Sequence, residues 1–176
     1  MTGLRSNSQW EGNTMLKSSV VWIVGALVLS APTCAQTAKD VVGTWDYVSA
    51  ETVAPDGKRS PTFGLNPKGI VVFAANGHYA LIVTRSGQPK FASNNRMQGT
   101  PEENKAIVQG SISHFGTYTV NEADKTITFH IQTSTFPNWD GMDQKRPFTL
   151  SGDELKYTVP AASAGGTAEV VLKRLK

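Results

Sequence analysis

The chain has 176 residues, with 17 Lys and Arg against 14 Asp and Glu, three His and one Cys, for a formal net charge of +3. That length suits one domain with one core and is too short for two. A balance so near neutrality, with no basic cluster interleaved with aromatics, argues against nucleic acid as a partner, and one cysteine excludes an internal disulfide framework.

At the N-terminus, Lys17 precedes the apolar run Val20 to Ala31, and small residues follow at Thr33-Cys34-Ala35. These are the parts of an export signal in their usual order. The run falls short of the ~20 apolar residues a spanning helix needs, so no stable membrane span is expected. Residues 1–14 are polar and include Glu11, whereas Met15 opens a more compact signal and reads as the true start. Residues 1–35 are therefore assigned to a signal peptide and 36–176 to an exported domain, periplasmic or secreted. Processing as a lipoprotein at Cys34 is the rival outcome. Loss of Arg5, Lys17 and Glu11 with the signal takes the net charge from +3 to +2.

From Val41 onward, β-branched and aromatic residues alternate with polar ones in short runs that end at Gly, Pro, Asn or Asp clusters. The pattern predicts strands near 43–54, 68–75, 78–85, 115–121, 125–133, 143–150, 153–159 and 167–174. Asn76-Gly77 is the sharpest hairpin signal. About eight antiparallel strands in one small domain is the number that closes an up-and-down barrel around side chains or one small ligand. One segment departs from the pattern. Thr100-Pro101-Glu102-Glu103 sets an N-cap, a proline at the first helical position and a capping-box glutamate in register. A short helix over 101–113 follows, with Ile107, Val108, Ile112 and Phe115 as its apolar stripe, long enough to lie across one end of a barrel. The preceding stretch from Arg85 to Gly99 reads as a long loop over the mouth.

Gly43-Thr-Trp45 opens the first strand, and Arg174 ends the last on the face of Val170 and Leu172. With these features the chain resembles the lipocalin superfamily, in which such a tryptophan closes one end of the barrel beneath an arginine of the final strand. More closely, it is similar to a group of bacterial and fungal lipocalin-like domains. The matching blocks are Gly43-Thr-Trp45, Pro67-Lys-Gly69, Pro89-Lys-Phe91-Ala92, Gly99-Thr-Pro-Glu-Glu-Asn104, Phe115-Gly-Thr-Tyr118 and Phe136-Pro-Asn-Trp139 with Gln144 and Arg146. The resemblance implies a barrel with a pocket, closed at one end by Gly43, Trp45 and Arg174, and carries no agreed activity.

The strand at 143–150 sets Gln144 and Arg146 on the apolar face of Phe148 and Leu150. A cation there needs a carboxylate, a π face, water or an anionic ligand. Two readings stand: a polar clamp for a carboxylate or enol oxygen, or a structural strut bonded to Asp140, Asp143 or nearby carbonyls, with Pro147 able to flip the alternation. Trp139, Tyr118, Tyr79, Leu81 and Phe148 are expected walls. Asn138 is either a turn residue or a ligand contact. His78, His114 and His130 show no metal-ligand spacing, and His130 opposes the face of Ile127, Phe129 and Ile131. Gly110-Ser-Ile-Ser-His114 falls within the predicted helix and is no nucleophile elbow. No P-loop or dinucleotide fingerprint is present, so no cofactor is expected. The leading expectation is an exported barrel binding a small apolar molecule with an acidic or carbonyl group. Two others differ in kind. In a cofactor-free isomerase or cyclase, Arg146 would steady an oxyanion while His130 or Tyr118 moved a proton. In an envelope interaction module the barrel would be filled and an outer apolar patch exposed.

Overall fold

The computed structural model describes residues 37–176, so the assigned signal segment lies outside the described residues. After a short turn of helix, α1 (Ala38–Val41), come β1 (Gly43–Val53), β2 (Arg59–Pro61), β3 (Lys68–Phe73) and β4 (His78–Thr84). These lead to α2 (Pro101–Gln109), followed by β5 (Ser111–Asn121), β6 (Thr126–Ser134), β7 (Asp143–Ser151), β8 (Glu154–Val159) and β9 (Thr167–Arg174). From β3 to β9, each strand pairs antiparallel with the next. The ring closes through β1, which pairs with β3 over Gly43–Asp46 and with β9 over Trp45–Val53. The result is the expected eight-stranded antiparallel barrel. Sequence reasoning missed β2, which extends the β1 edge beyond β3 by pairing Arg59, Ser60 and Pro61 with Val53, Thr52 and Glu51. Three exposed residues carry no alternation to read.

Side chains alternate strictly in β7, from exposed Asp143 to exposed Ser151, and Pro147 does not flip them. The inward rows of all eight strands form one core containing Trp45, Phe73, Phe129, Ile131, Leu155 and Leu172.

The helix expected over 101–113 ends at Gln109. Gly110 caps it by donating its N–H to the carbonyls of Ala106 and Ile107. From Ser111 the chain pairs with β4 instead, Ser111 opposite Thr84 and Ile112 opposite Val83. Ladder formation thus divides the apparent stripe: Val108 is exposed on the helix, Ile112 faces the core and Phe115 faces outward. Helical and strand spacings share some positions, and tertiary pairing decided between them. α2 buries none of its residues and stands at the rim of the barrel.

One end of the barrel is sealed. Trp45 is fully buried, donates Nε1–H to the carbonyl of Val41 at 2.9 Å, and lies under the Arg174 guanidinium, whose Cζ is 4.1 Å from the ring centroid. Arg174 donates Nη1–H to the carbonyl of Val42 at 2.8 Å and Nη2–H to that of Asp40. Gly43 has φ of +142°, and a Cβ there would meet Arg174 Nη1 at 2.6 Å, so the arginine crosses where only glycine leaves room.

Candidate functional site

The interior opposite the seal contains a small hollow of about 40 Å³, lined in part by Tyr47, Phe63, His114, Trp139, Arg146 and Tyr157. Phe63, Ile112, Thr62 and Ser163 also line a wider bowl of about 480 Å³ at the mouth, which Arg85, Val108, Gln109 and Phe136 help to rim. Phe63 packs edge-on to Tyr47, with centroids 6.2 Å apart, and belongs to both spaces. With Thr62 and Ser163, it belongs to the loop part of the boundary between hollow and bowl, Ile112 being on a barrel strand. The long loop that precedes α2 is anchored to the rim: Arg85 N–H and Gln88 Nε2–H both donate to the carbonyl of Gly110, and Ala92 N–H donates to Glu103.

Arg146 is 1% exposed. Its Nη2–H donates to Gln144 Oε1 at 2.8 Å, two positions along the same face. Three rings surround the guanidinium, with Cζ 4.1 Å from the centroid of Phe129, 5.3 Å from Tyr157 and 5.9 Å from Trp139. No Asp or Glu is buried among the described residues. Arg146 Nε and Gln144 Nε2 are buried N–H groups without a hydrogen-bonding partner. The strut reading offered Asp140, Asp143 or nearby carbonyls as partners, and of these Arg146 meets only a side-chain carbonyl, that of Gln144. Asp140 accepts from Ser134 and Thr133, and Asp143 pairs with His130 at 2.7 Å on the outside. Cation–π contacts compensate part of the desolvation of a guanidinium, about 2 kcal/mol in a dry site. An unsatisfied buried donor costs a similar amount.

His114 was assigned to the helix by sequence reasoning; on β5 it is buried and lines the hollow. Its Nδ1 is 2.8 Å from the Tyr79 hydroxyl, and its ring meets Trp139 edge-on at 5.7 Å. Burial, with the Arg146 charge adding, pushes its pKa down to about 3, so the imidazole is neutral at ordinary pH. Burial likewise raises the pKa of Tyr79, Tyr47 and Tyr157, keeping their hydroxyls protonated. The signal for His114 was its period-two spacing from Ile112 and Tyr118, obscured by the strong helix start upstream.

Of the candidate ligand residues, Arg146, Gln144, Trp139 and Tyr79 come together around the hollow, Gln144 behind Arg146 and Tyr79 through His114. Tyr118 is buried elsewhere: its hydroxyl donates to the carbonyl of Ala74 in the turn after β3, and its ring packs on Phe73 at 4.9 Å. Phe148 is buried in the core beside Tyr157 without lining the hollow. Asn138 is exposed in the 3-10 turn Pro137–Trp139 that swings Trp139 inward. His130 lies on the outer face, between Asp143 and Thr119. Among the described residues no three His, Cys, Asp or Glu side chains converge as metal ligands, and no helix is long and apolar enough to cross a membrane.

A second feature is on the outside. Ile70, Val72, Ala80, Ile82 and Phe115 line an apolar groove of about 490 Å³ across β3, β4 and β5.

An antiparallel barrel sealed at one end by an indole under a cation, with a polar spot in an otherwise apolar interior, is the architecture of a small-molecule-binding barrel. The chain belongs to the lipocalin-like domain family, which it matches over residues 42–174. It is similar to a 4'-hydroxy-3'-methoxypropiophenone carrier protein, ppsC, of Aspergillus oryzae (strain ATCC 42149 / RIB 40), 28% identical over 82 residues that cover 43% of this chain and 74% of that protein.

Proposed function

We propose that the protein is an exported carrier that takes a small, largely apolar molecule into the barrel and orients it by an acidic or carbonyl oxygen against Arg146, with Gln144 behind. The observation that carries this reading is the Arg146 guanidinium, buried beside a hollow with no carboxylate and one N–H unmet. Such a group is stabilised by a ligand that brings the missing acceptor. The name of the Aspergillus relative, a carrier of an aryl ketone, agrees in chemistry with aromatic walls around a donor. The hollow is too small for such a molecule, so loading requires the side chains shared by hollow and bowl, Phe63 among them, to part and widen it. Export rests on the apolar run Val20 to Ala31 behind Lys17.

Thermal shift against aryl ketones, including 4'-hydroxy-3'-methoxypropiophenone, and against fatty acids tests the reading. At ligand concentrations a hundredfold above Kd, stabilisation of about 2.7 kcal/mol is expected. No stabilisation by any member, together with an Arg146→Leu variant as stable as the parent, would leave the interior a core and nothing more. Fractionation of the producing cell tests export: protein retained in the cytoplasm with residues 1–35 still attached refutes it.

The isomerase reading drew its proton-moving group from His130 or Tyr118, and neither reaches the hollow. The interaction-module reading has one observation in its favour, the outer groove with half-exposed Ile82 and Phe115. Light scattering decides it: an assembly at micromolar concentration that Phe115→Ser disperses supports a contact surface, and a monomer throughout removes it.

A further inference from the structure

The buried side-chain polar atoms around Arg146 that lack a partner are both donors. Arg146 Nε–H and Gln144 Nε2–H are buried donors without acceptors, and the Gln144 acceptor is already taken by Arg146 Nη2–H. On the neighbouring wall, the Tyr79 hydroxyl and His114 Nδ1 are hydrogen-bonded to each other at 2.8 Å. The titratable and charged groups facing this space are Tyr47 from β1, Tyr79 from β4, His114 from β5, Arg146 from β7 and Tyr157 from β8, with no carboxylate among the described residues. The side chains facing this space therefore carry a charge of +1, held among the rings of Phe129, Tyr157 and Trp139.

We infer that the barrel takes its ligand as the conjugate base of a vinylogous acid, a hydroxyl conjugated through a ring or double bond to a carbonyl, with the negative charge spread over both oxygens. This rests on the proposed carrier reading and goes beyond it, because it specifies a protonation state. A neutral hydroxyl can donate to a tyrosine oxygen, but it leaves the buried Arg146 charge without a counter-charge. Its conjugate base removes that donor, adds an acceptor and neutralises Arg146. In a low-dielectric site an opposite charge nearby favours the ionised form, which lowers the pKa of the bound acid by about 1–3. A delocalised anion also suits aromatic walls better than a compact carboxylate, since less hydration is lost on entry. Binding releases a proton to solvent when the hydroxyl form is the one supplied.

The test uses the mature chain and 4-hydroxyacetophenone, whose phenol and phenolate absorb at different wavelengths, beside 4-methoxyacetophenone, which keeps the ring and ketone without the ionisable proton. The absorbance of the bound hydroxy probe, titrated with base, is expected to show a midpoint at least one pH unit below that of the free probe. The hydroxy probe should also bind at least tenfold tighter than the methoxy probe at pH 8. In Arg146→Met, and in Gln144→Leu/Arg146→Met as a second variant with both donors removed, the midpoint shift and the tenfold preference disappear; thermal melting shows whether each is folded. A bound probe that titrates at or above its free midpoint, or equal affinity for the two probes, overturns this inference and leaves the carrier reading standing. If neither probe binds the wild type, the inference falls together with the reading beneath it for aryl ketones.

Discussion

Two arginines approach aromatic rings at the same distance in this barrel and do different things. Arg174 sits 4.1 Å over Trp45 and gives its guanidinium protons to the carbonyls of Val42 and Asp40, at a position where it still reaches solvent. Arg146 sits 4.1 Å from Phe129 and is buried, with one side-chain acceptor and an unmet Nε–H. The first is a completed structural contact, and the second is incomplete. The comparison teaches that a cation over a ring does not by itself mark a site; what marks it is the count of protons left without acceptors in a place water does not satisfy.

The sharpest way to break this contrast is to remove the seal. Trp45→Ala deletes a fully buried indole and is expected to cost about 3–5 kcal/mol in urea unfolding; a loss under about 1 kcal/mol would show the sealed end to be no part of the stability of the barrel. A pH series separates the two regions next. His114 belongs to the hollow, and its folded pKa lies near 3, below the ordinary 6.5. The unfolded chain therefore binds the proton first as pH falls, so stability drops between about pH 6.5 and 3, by up to about 1.4 kcal/mol per unit. His114→Gln should remove about 3 kcal/mol of the difference between pH 7 and pH 4, and an unchanged acid limb would place the imidazole in solvent.

The arginines themselves give the next largest effect. Arg174→Leu strips a packed cation from its carbonyl acceptors and should cost about 1–3 kcal/mol without altering ligand affinity. Gln144→Leu/Arg146→Met, replacing an unpaired buried cation with apolar volume, should leave stability within about 1 kcal/mol or raise it, while affinity for the hydroxy ligand falls about tenfold. The reverse outcome, a stable Arg174 variant and a collapsed Arg146 variant, would exchange the roles assigned to the two. The smallest effect is expected at Tyr118→Phe, which removes one hydroxyl bond to the Ala74 carbonyl, costs about 1 kcal/mol and leaves binding unchanged. Impaired binding there would return Tyr118 to the site.

The reading of β7 shows how much of the site could be seen from residues alone. Four inward residues at period two, Gln144, Arg146, Phe148 and Leu150, required no partner strand to be recognised, because alternation is a property of the backbone of one strand. The same holds for the capping box at Thr100 and Glu103, which forms as written, Thr100 Oγ1 accepting from Glu103 N–H. His114 was invisible for the opposite reason. Its segment carries a helix start and a strand pattern at once, and the choice fell to the edge of β4, which offers the backbone of 111–117 a ladder that a helix cannot use. Asn138 was open between a turn residue and a ligand contact; the 3-10 turn sends it outward and sends Trp139 into the core.

The sequence by itself determined the number and order of the main strands and the inward placement of Arg146 and Arg174. All follow from local periodicity and from residues whose chemistry permits few surroundings, whereas the pairing of Trp45 with Arg174 was what the family resemblance implied. Only the tertiary structure decided that Arg146 would meet no carboxylate, that His114 and Tyr79 would share the interior with it, and that Tyr118 and Phe148 would lie away from the hollow. Those outcomes depend on which strands become neighbours when β1 closes on β9, and on the tilt that carries each side chain up or down the barrel, quantities no single strand encodes.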